Sequence, residues 1–177
     1  MSCEKILICG FSGAGKTSLL REVEFHAPNS DWFYSDLDSL ILKEKKFSSI
    51  EALVAKEGWD KFRLWERQVL EGLLKEEGRG IIALGGGTLS ETLYNVLKPI
   101  RKIGICYLHT PFNDAWERLH LDGTEPRPLV KLGQIELQRI YQERQRVFAQ
   151  IPWRIENPIG SDLQKLAQDF WQRVSAS

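Results

Sequence analysis

The sequence predicts an α/β domain in three layers, α/β/α, with a parallel β-sheet covered by helices on both faces. Two observations carry that prediction. Short apolar runs alternate along the chain with longer segments of helical period, which is the signature of β-α units feeding a parallel sheet. A glycine-rich turn joins the first run to the first helix, in "ILICGFSGAGKTSLL" over residues 6–20.

The first strand is expected at Lys5–Cys9, with a helix starting near Lys16. A second strand, Trp32–Ser35, runs into "FYSDLDSLI". A helix over Trp59–Lys75 carries Phe62, Trp65, Val69 and Leu73 on one stripe. The third strand, Gly80–Leu84, ends in three glycines, and the fourth, Lys102–Leu108, precedes a helix over Pro111–Leu119. The glycines and prolines of "HLDGTEPRPLVKLG" rule out a continuous helix. This charged segment is long for a connection, so a lid is expected at about residues 120–132. A helix near Gln134–Gln150 and a strand at Trp153–Ile155 follow. The last helix, Asp162–Val174, has Leu163, Leu166, Ala167, Phe170, Trp171 and Val174 on one stripe. Asp162 can cap it after the break at Pro158–Gly160. No repeat or linker interrupts the 177 residues, so one domain is expected over residues 1–177.

Lys+Arg and Asp+Glu are both 24. That balance gives no field for nucleic acid or an anionic membrane, so any anion must be held by a local cluster. The three cysteines, Cys3, Cys9 and Cys106, lack CxxC spacing, which argues against a disulfide framework or a zinc site. Cys9 and Cys106 lie in apolar runs and read as small buried hydrophobes. No cleavable leader is visible, and no apolar run approaches the roughly 18 residues of a membrane span. A cytoplasmic protein in a reducing compartment is expected.

Residues Gly10–Thr17 fit G-x-x-x-x-G-K-[ST], the phosphate-binding loop. Its glycines let successive N–H groups point into one cavity, and the following helix adds its positive end. Lys16 reaches the outer phosphates, and the Thr17 hydroxyl can ligate a nucleotide's magnesium. The glycines run GxxGxG (Gly10, Gly13, Gly15), so a dinucleotide fingerprint is excluded.

The acceptor of the phosphate must be read elsewhere. Asp36 and Asp38 follow the second strand, and in extended backbone residues two apart face the same way. One can serve magnesium and the other a hydroxyl proton, although an Asp helix cap with a neighbouring charge is the plainer alternative. In "KFRLWERQ", Arg63 and Glu66 share a helix face beside the apolar stripe; a held arginine suits a carboxylate ligand, and an exposed intrahelical ion pair is the alternative. Arg144 lies in line with Tyr141 and Phe148; a charge there either has a partner or snorkels outward. Gly85, Gly86 and Gly87 permit close backbone approach to a small ligand, or else make a tight turn. Arg127, in "EPRPLV", can neutralise a transferring phosphoryl group when the lid closes; the plainer alternative is a solvated loop charge.

The ordered set resembles the shikimate kinase family: a phosphate loop, D-x-D after the second strand, F-R-x-x-E on a helix, G-G-G after the third strand, R-P-L in a lid and a late E-R. The resemblance runs from about Lys5 to the final helix. It implies a P-loop fold with a five-stranded parallel sheet, of the nucleoside-monophosphate-kinase type. The implied reaction is transfer of the γ-phosphate of ATP, with Mg²⁺, to the 3-hydroxyl of shikimate. On this pattern Gly10, Gly13, Ala14, Gly15, Lys16, Thr17 and Ser18 surround the nucleotide, with Arg118 near adenine and Arg127 at the phosphates. Thr17 and Asp36 attend the metal, and Lys16, Asp38 and Arg127 serve catalysis. Asp38, Arg63, Gly85–Gly87 and Arg144 hold shikimate, with Arg139 and Arg146 as substitutes for Arg144. Leu20 and Leu42 stand where the family often has glycine and glutamate. A monomer acting on a small molecule, without nucleic acid or membrane, is expected. The alternatives are another sugar-acid kinase, such as a gluconate kinase, and a non-catalytic nucleotide-binding module serving a partner protein.

Overall fold

Strand β1, Lys5–Cys9, is buried along its whole length at the centre of a five-stranded sheet. The computed structural model describes residues 3–27, 31–121 and 128–175. The other strands are β2 (Trp32–Asp36), β3 (Arg79–Ala83), β4 (Ile103–His109) and β5 (Trp153–Glu156). All neighbours pair in parallel, in the order β2-β3-β1-β4-β5. Each strand predicted from the sequence is present, with ends shifted by at most one residue.

The helices are α1 (Lys16–His26), α2 (Leu37–Lys45), α3 (Ile50–Glu57), α4 (Trp59–Lys75), α5 (Glu91–Leu97), α6 (Phe112–His120), α7 (Gly133–Phe148) and α8 (Leu163–Ser175). A 3₁₀ turn covers Pro128–Leu132 within the expected lid. The remainder of that segment, residues 122–127 with Arg127, lies outside the described residues.

Successive residues of β1 point to opposite faces, and each face has its own core. Ile6 and Ile8 meet Leu19 and Val23 of α1 and Phe170 and Val174 of α8. Leu7 and Cys9 meet Ile41 of α2, Leu70 of α4, Leu97 of α5 and Phe148 of α7. Leu20, one of the two departures from the family pattern, is buried in the first of these cores. A smaller cluster joins Phe11 of the phosphate loop to Ala115 of α6 and Leu137 and Tyr141 of α7. Lys5 is buried, and its Nζ donates to the carbonyl oxygen of Glu76 at 2.9 Å, tying the far end of α4 to β1.

Two expectations change. The fully buried row of α4 is Phe62, Glu66, Leu70 and Leu73; Trp65 and Val69 pack only partly against the core. A search for apolar residues at helical spacing passes over a carboxylate that is buried because it is paired. The backbone also stops being extended at Asp36, because α2 begins at Leu37. The Asp36 side chain accepts from Ser39 N at 2.9 Å as the helix cap, so the alternating-face argument for Asp36 and Asp38 does not apply.

Candidate active site

The phosphate loop curls between β1 and α1, and Gly13 (φ 81°) and Gly15 (φ 87°) take the left-handed backbone that glycine permits. Gly15 caps α1 without a side chain, leaving the first N–H groups of the helix open to the cavity. A Cβ on Gly10 would stand 2.5 Å from the Leu108 carbonyl oxygen, so the loop enters pressed against β4. Asn157 Nδ2 donates to the Ala14 carbonyl at 2.8 Å, pinning the loop from the end of β5. The buried Lys16 Nζ donates to the carbonyls of Gly10 and Phe11, both at 2.9 Å.

Thr17 Oγ1 donates to Asp36 Oδ2 at 2.7 Å. One hydroxyl and one carboxylate, with no group of three or more potential His/Cys/Asp/Glu ligands among the described residues, fit a cation that keeps most of its shell as water and phosphate. Magnesium behaves in that way. Above the loop, Arg118 Nη2 donates to the Pro158 carbonyl at 2.9 Å. Burial pushes the Arg118 pKa down, against the opposing charge of Asp114.

On the other side, Asp38 sits in the first turn of α2 and packs against the strand exit. A Cβ on Gly85 would be 2.6 Å from its Oδ1. Glu66, only 1% exposed, accepts at Oε1 from Thr88 Oγ1 at 2.5 Å and at Oε2 from Arg63. This anchored carboxylate holds the Arg63 guanidinium toward Gly87. Arg144 reaches the same place from α7: a Cβ on Gly87 would lie 2.6 Å from Arg63 Nη2 and 2.8 Å from Arg144 Nη2. Burial first, and the Arg63 charge second, press the Arg144 pKa down to about 10. Its Nη1 is buried and has no hydrogen-bond partner among the described residues. Two converging cations, one of them incompletely bonded, are matched by a planar anion with two oxygens.

A single cavity of about 540 Å³ joins the two halves. Of the residues expected at the site, Gly13, Gly15, Lys16, Thr17, Ser18, Asp36, Asp38, Arg63, Gly86, Gly87, Arg118 and Arg144 line it. Gly10, Ala14 and Gly85 are not among its lining residues. The two arginines weighed against Arg144 point elsewhere: Arg139 is exposed and paired with Glu136 and Glu143, and Arg146 is exposed. Sequence reasoning missed Ser12, Ile50 and Trp59, which also line the cavity. The signal for Trp59 was its position one helical turn before Arg63; Ser12, at a variable position of the loop motif, had none.

The shikimate kinase family model matches residues 12–175. The shikimate kinase of Streptococcus thermophilus is 34% identical over 146 residues, covering 81% of this chain and 83% of that protein. The pentafunctional AROM polypeptide of Yarrowia lipolytica is 28% identical over 155 residues, covering 85% of this chain; the match spans only 9% of that much longer protein. The structure of shikimate kinase from Acinetobacter baumannii in complex with shikimate has the same fold, with a TM-score of 0.80 and 24% identity, covering 98% of this chain and 94% of that one.

Proposed function

Because this chain belongs to the shikimate kinase family, we propose that it transfers the γ-phosphoryl group of ATP to the 3-hydroxyl of shikimate, giving shikimate 3-phosphate. The observation that carries the reading is a single cavity with a phosphate loop at one end and two converging arginines at the other, and with Asp38 among its lining residues.

In this reading the residues over 1–177 act as one kinase domain. The loop N–H groups and Lys16 hold the outer phosphates, Thr17 and Asp36 hold Mg²⁺, and Arg118 lies at the nucleoside end. When bound, Mg²⁺ supplies charge neutralisation at the phosphate oxygens. Arg63 and Arg144 grip the acceptor carboxylate, and Gly85–Gly87 let the acceptor approach the backbone. Asp38 orients the attacking hydroxyl and takes its proton. Arg127, on the expected lid, adds positive charge at the phosphates. Alignment and charge neutralisation then do most of the catalytic work, as expected for phosphoryl transfer.

The reading takes the protein as a cytoplasmic monomer acting on small molecules, without nucleic acid or membrane. Its three cysteines are free, and no helix among the described residues is long and apolar enough to cross a membrane.

ADP release by the purified chain with ATP and Mg²⁺ tests the reading, run with shikimate, with gluconate and without acceptor. Shikimate-dependent release is the expected result. Turnover with gluconate alone makes the chain a different sugar-acid kinase. ATP binding without acceptor-dependent turnover makes it a nucleotide-binding module.

A further inference from the structure

The acceptor half of the cavity has a wall that the charged groups do not explain. Leu42 lies one helical turn beyond Asp38 on α2, Ile50 opens α3, and Trp59 and Phe62 form the first turn of α4; all four line the cavity. Phe62 is buried, whereas Trp59 keeps 38% of its surface exposed. The two rings meet edge to face, with centroids 5.9 Å apart at 71°. The Arg63 guanidinium carbon stands 5.3 Å from the Trp59 ring centroid and 5.5 Å from that of Phe62. Arg63 is thus held by Glu66 at its tip and by two aromatic rings on its flank.

This wall is chemically one-sided. Leu42, Ile50 and Phe62 carry no polar side-chain atom, and Trp59 offers one donor and no acceptor. An open-chain polyol acid bound to the arginines would turn hydroxyl groups toward a surface that cannot accept their hydrogen bonds. A cyclic acid can instead lay ring carbons there and keep its hydroxyls toward Asp38 and the glycine turn.

We propose that Trp59 is a positioning and specificity residue. Its indole steadies the Arg63 guanidinium by cation–π contact, and with Leu42 and Ile50 it forms the surface against which the ring of a cyclic carboxylate acceptor packs. The proposal rests on the shikimate-phosphorylating reading above and adds the residue that selects a ring.

The test uses the full chain with Trp59→Ala and Trp59→Phe. ADP release gives kcat and KM for shikimate and ATP, and tryptophan emission is titrated with shikimate in the absence of nucleotide. Cyclohex-1-ene-1-carboxylate, which keeps ring and carboxylate but no hydroxyl, is tested as an inhibitor against shikimate. Trp59→Ala is expected to raise the shikimate KM by about fivefold, the upper size of a partly exposed cation–π contact, with kcat and the ATP KM nearly unchanged. Trp59→Phe, which keeps an aromatic face, restores the KM but loses the shikimate-dependent emission change. The cyclohexene acid competes with shikimate in the unmodified chain, and its inhibition weakens in Trp59→Ala. An unchanged shikimate KM in Trp59→Ala, an emission change that survives in Trp59→Phe, or no inhibition by the cyclohexene acid overturns the proposal. So does a parallel loss of kcat and ATP affinity in Trp59→Ala, which marks a structural role. Failure of the unmodified chain to turn over shikimate overturns the underlying reading and the role of Trp59 with it.

Discussion

Gly87→Ala asks whether Arg63 and Arg144 act as one fork. The added Cβ would stand 2.6 Å from Arg63 Nη2 and 2.8 Å from Arg144 Nη2. Gly87 is not among the glycines with positive φ, so alanine suits the backbone. The crowded atoms belong to the ends of two long side chains, which can swing. Restoring ordinary contact at 3.4 Å displaces Arg63 Nη2 by about 0.8 Å and Arg144 Nη2 by about 0.6 Å. Folding should therefore lose less than about 1 kcal/mol, or under about 4 °C in thermal midpoint for a domain of this size. Carboxylate binding should lose more, because a bond of ordinary length stretched by that much is no longer a hydrogen bond. Hydrogen bonds to charged groups contribute about 1.5–3 kcal/mol, which is roughly 10- to 150-fold in affinity. Steady-state ADP release should show the shikimate KM raised within that range, with kcat and the ATP KM little changed. Gly86→Ala provides the contrast. Its Cβ would meet Ser12 Oγ at 2.5 Å and the Ser12 backbone N at 2.9 Å, and that backbone belongs to the phosphate loop. Gly86→Ala should therefore damage ATP binding and thermal stability. An unchanged shikimate KM in a stable Gly87→Ala protein, or indistinguishable effects of the two substitutions, would refute the reasoning.

Three further outcomes are expected. Asp38→Asn should lower kcat by about 10²- to 10⁴-fold, the usual contribution of a positioned base, with ATP affinity measured by titration nearly intact; near-normal turnover would remove Asp38 from its role. Arg144→Met exchanges a charge disfavoured by burial and by Arg63 for an apolar chain of similar reach, so the ligand-free thermal midpoint should rise by about 2–4 °C per 1 kcal/mol recovered, while the shikimate KM rises by about 100-fold. A lowered midpoint in scanning calorimetry would show that the charge is well accommodated. Burial raises the Cys9 thiol to about 12 and lifts Cys106 as well, so at pH 8 both stay protonated and unreactive. A thiol-specific chromogenic reagent should detect Cys3 alone in the folded chain and all three cysteines in urea; rapid labelling of three in the native state would contradict the burial.

The central strands β1 and β3 were legible because burial on both faces leaves unbroken apolar runs, and α4 because its amphipathic period persists from Trp59 to Lys75. The shorter helices α2, α3 and α5 were given no bounds, although a cap in the Asp36–Asp38 pair was one of the two readings of that stretch. Each is capped by one side chain, Asp36, Ser49 or Ser90, accepting from the backbone N–H three residues on. Those caps are visible in the sequence, but helices this short carry too few apolar positions to establish a period. The charged residues of the cavity were legible as residue types at characteristic spacings. Their convergence was not, since Arg144 meets Gly87 only after the chain between β3 and α7 has folded back. The buried state of Glu66 depends on Arg63, one turn back on the same helix, and on Thr88; the spacing in "KFRLWERQ" shows the first partner, and nothing local shows the second.

Glu66 occupies the same helical row as Phe62, Leu70 and Leu73, so the residue that aims Arg63 is also part of the packing that keeps the chain folded. Selection acting on foldability and selection acting on substrate use are fused along this row. A volume change at Leu70 would tilt the row and reach the guanidinium through Glu66, so neutral drift in the interior of this helix is narrower than its distance from the substrate suggests. Leu42 of α2 and Ile50 of α3, which line the cavity and pack only partly against the core, leave more room for change in acceptor preference than the α4 row does.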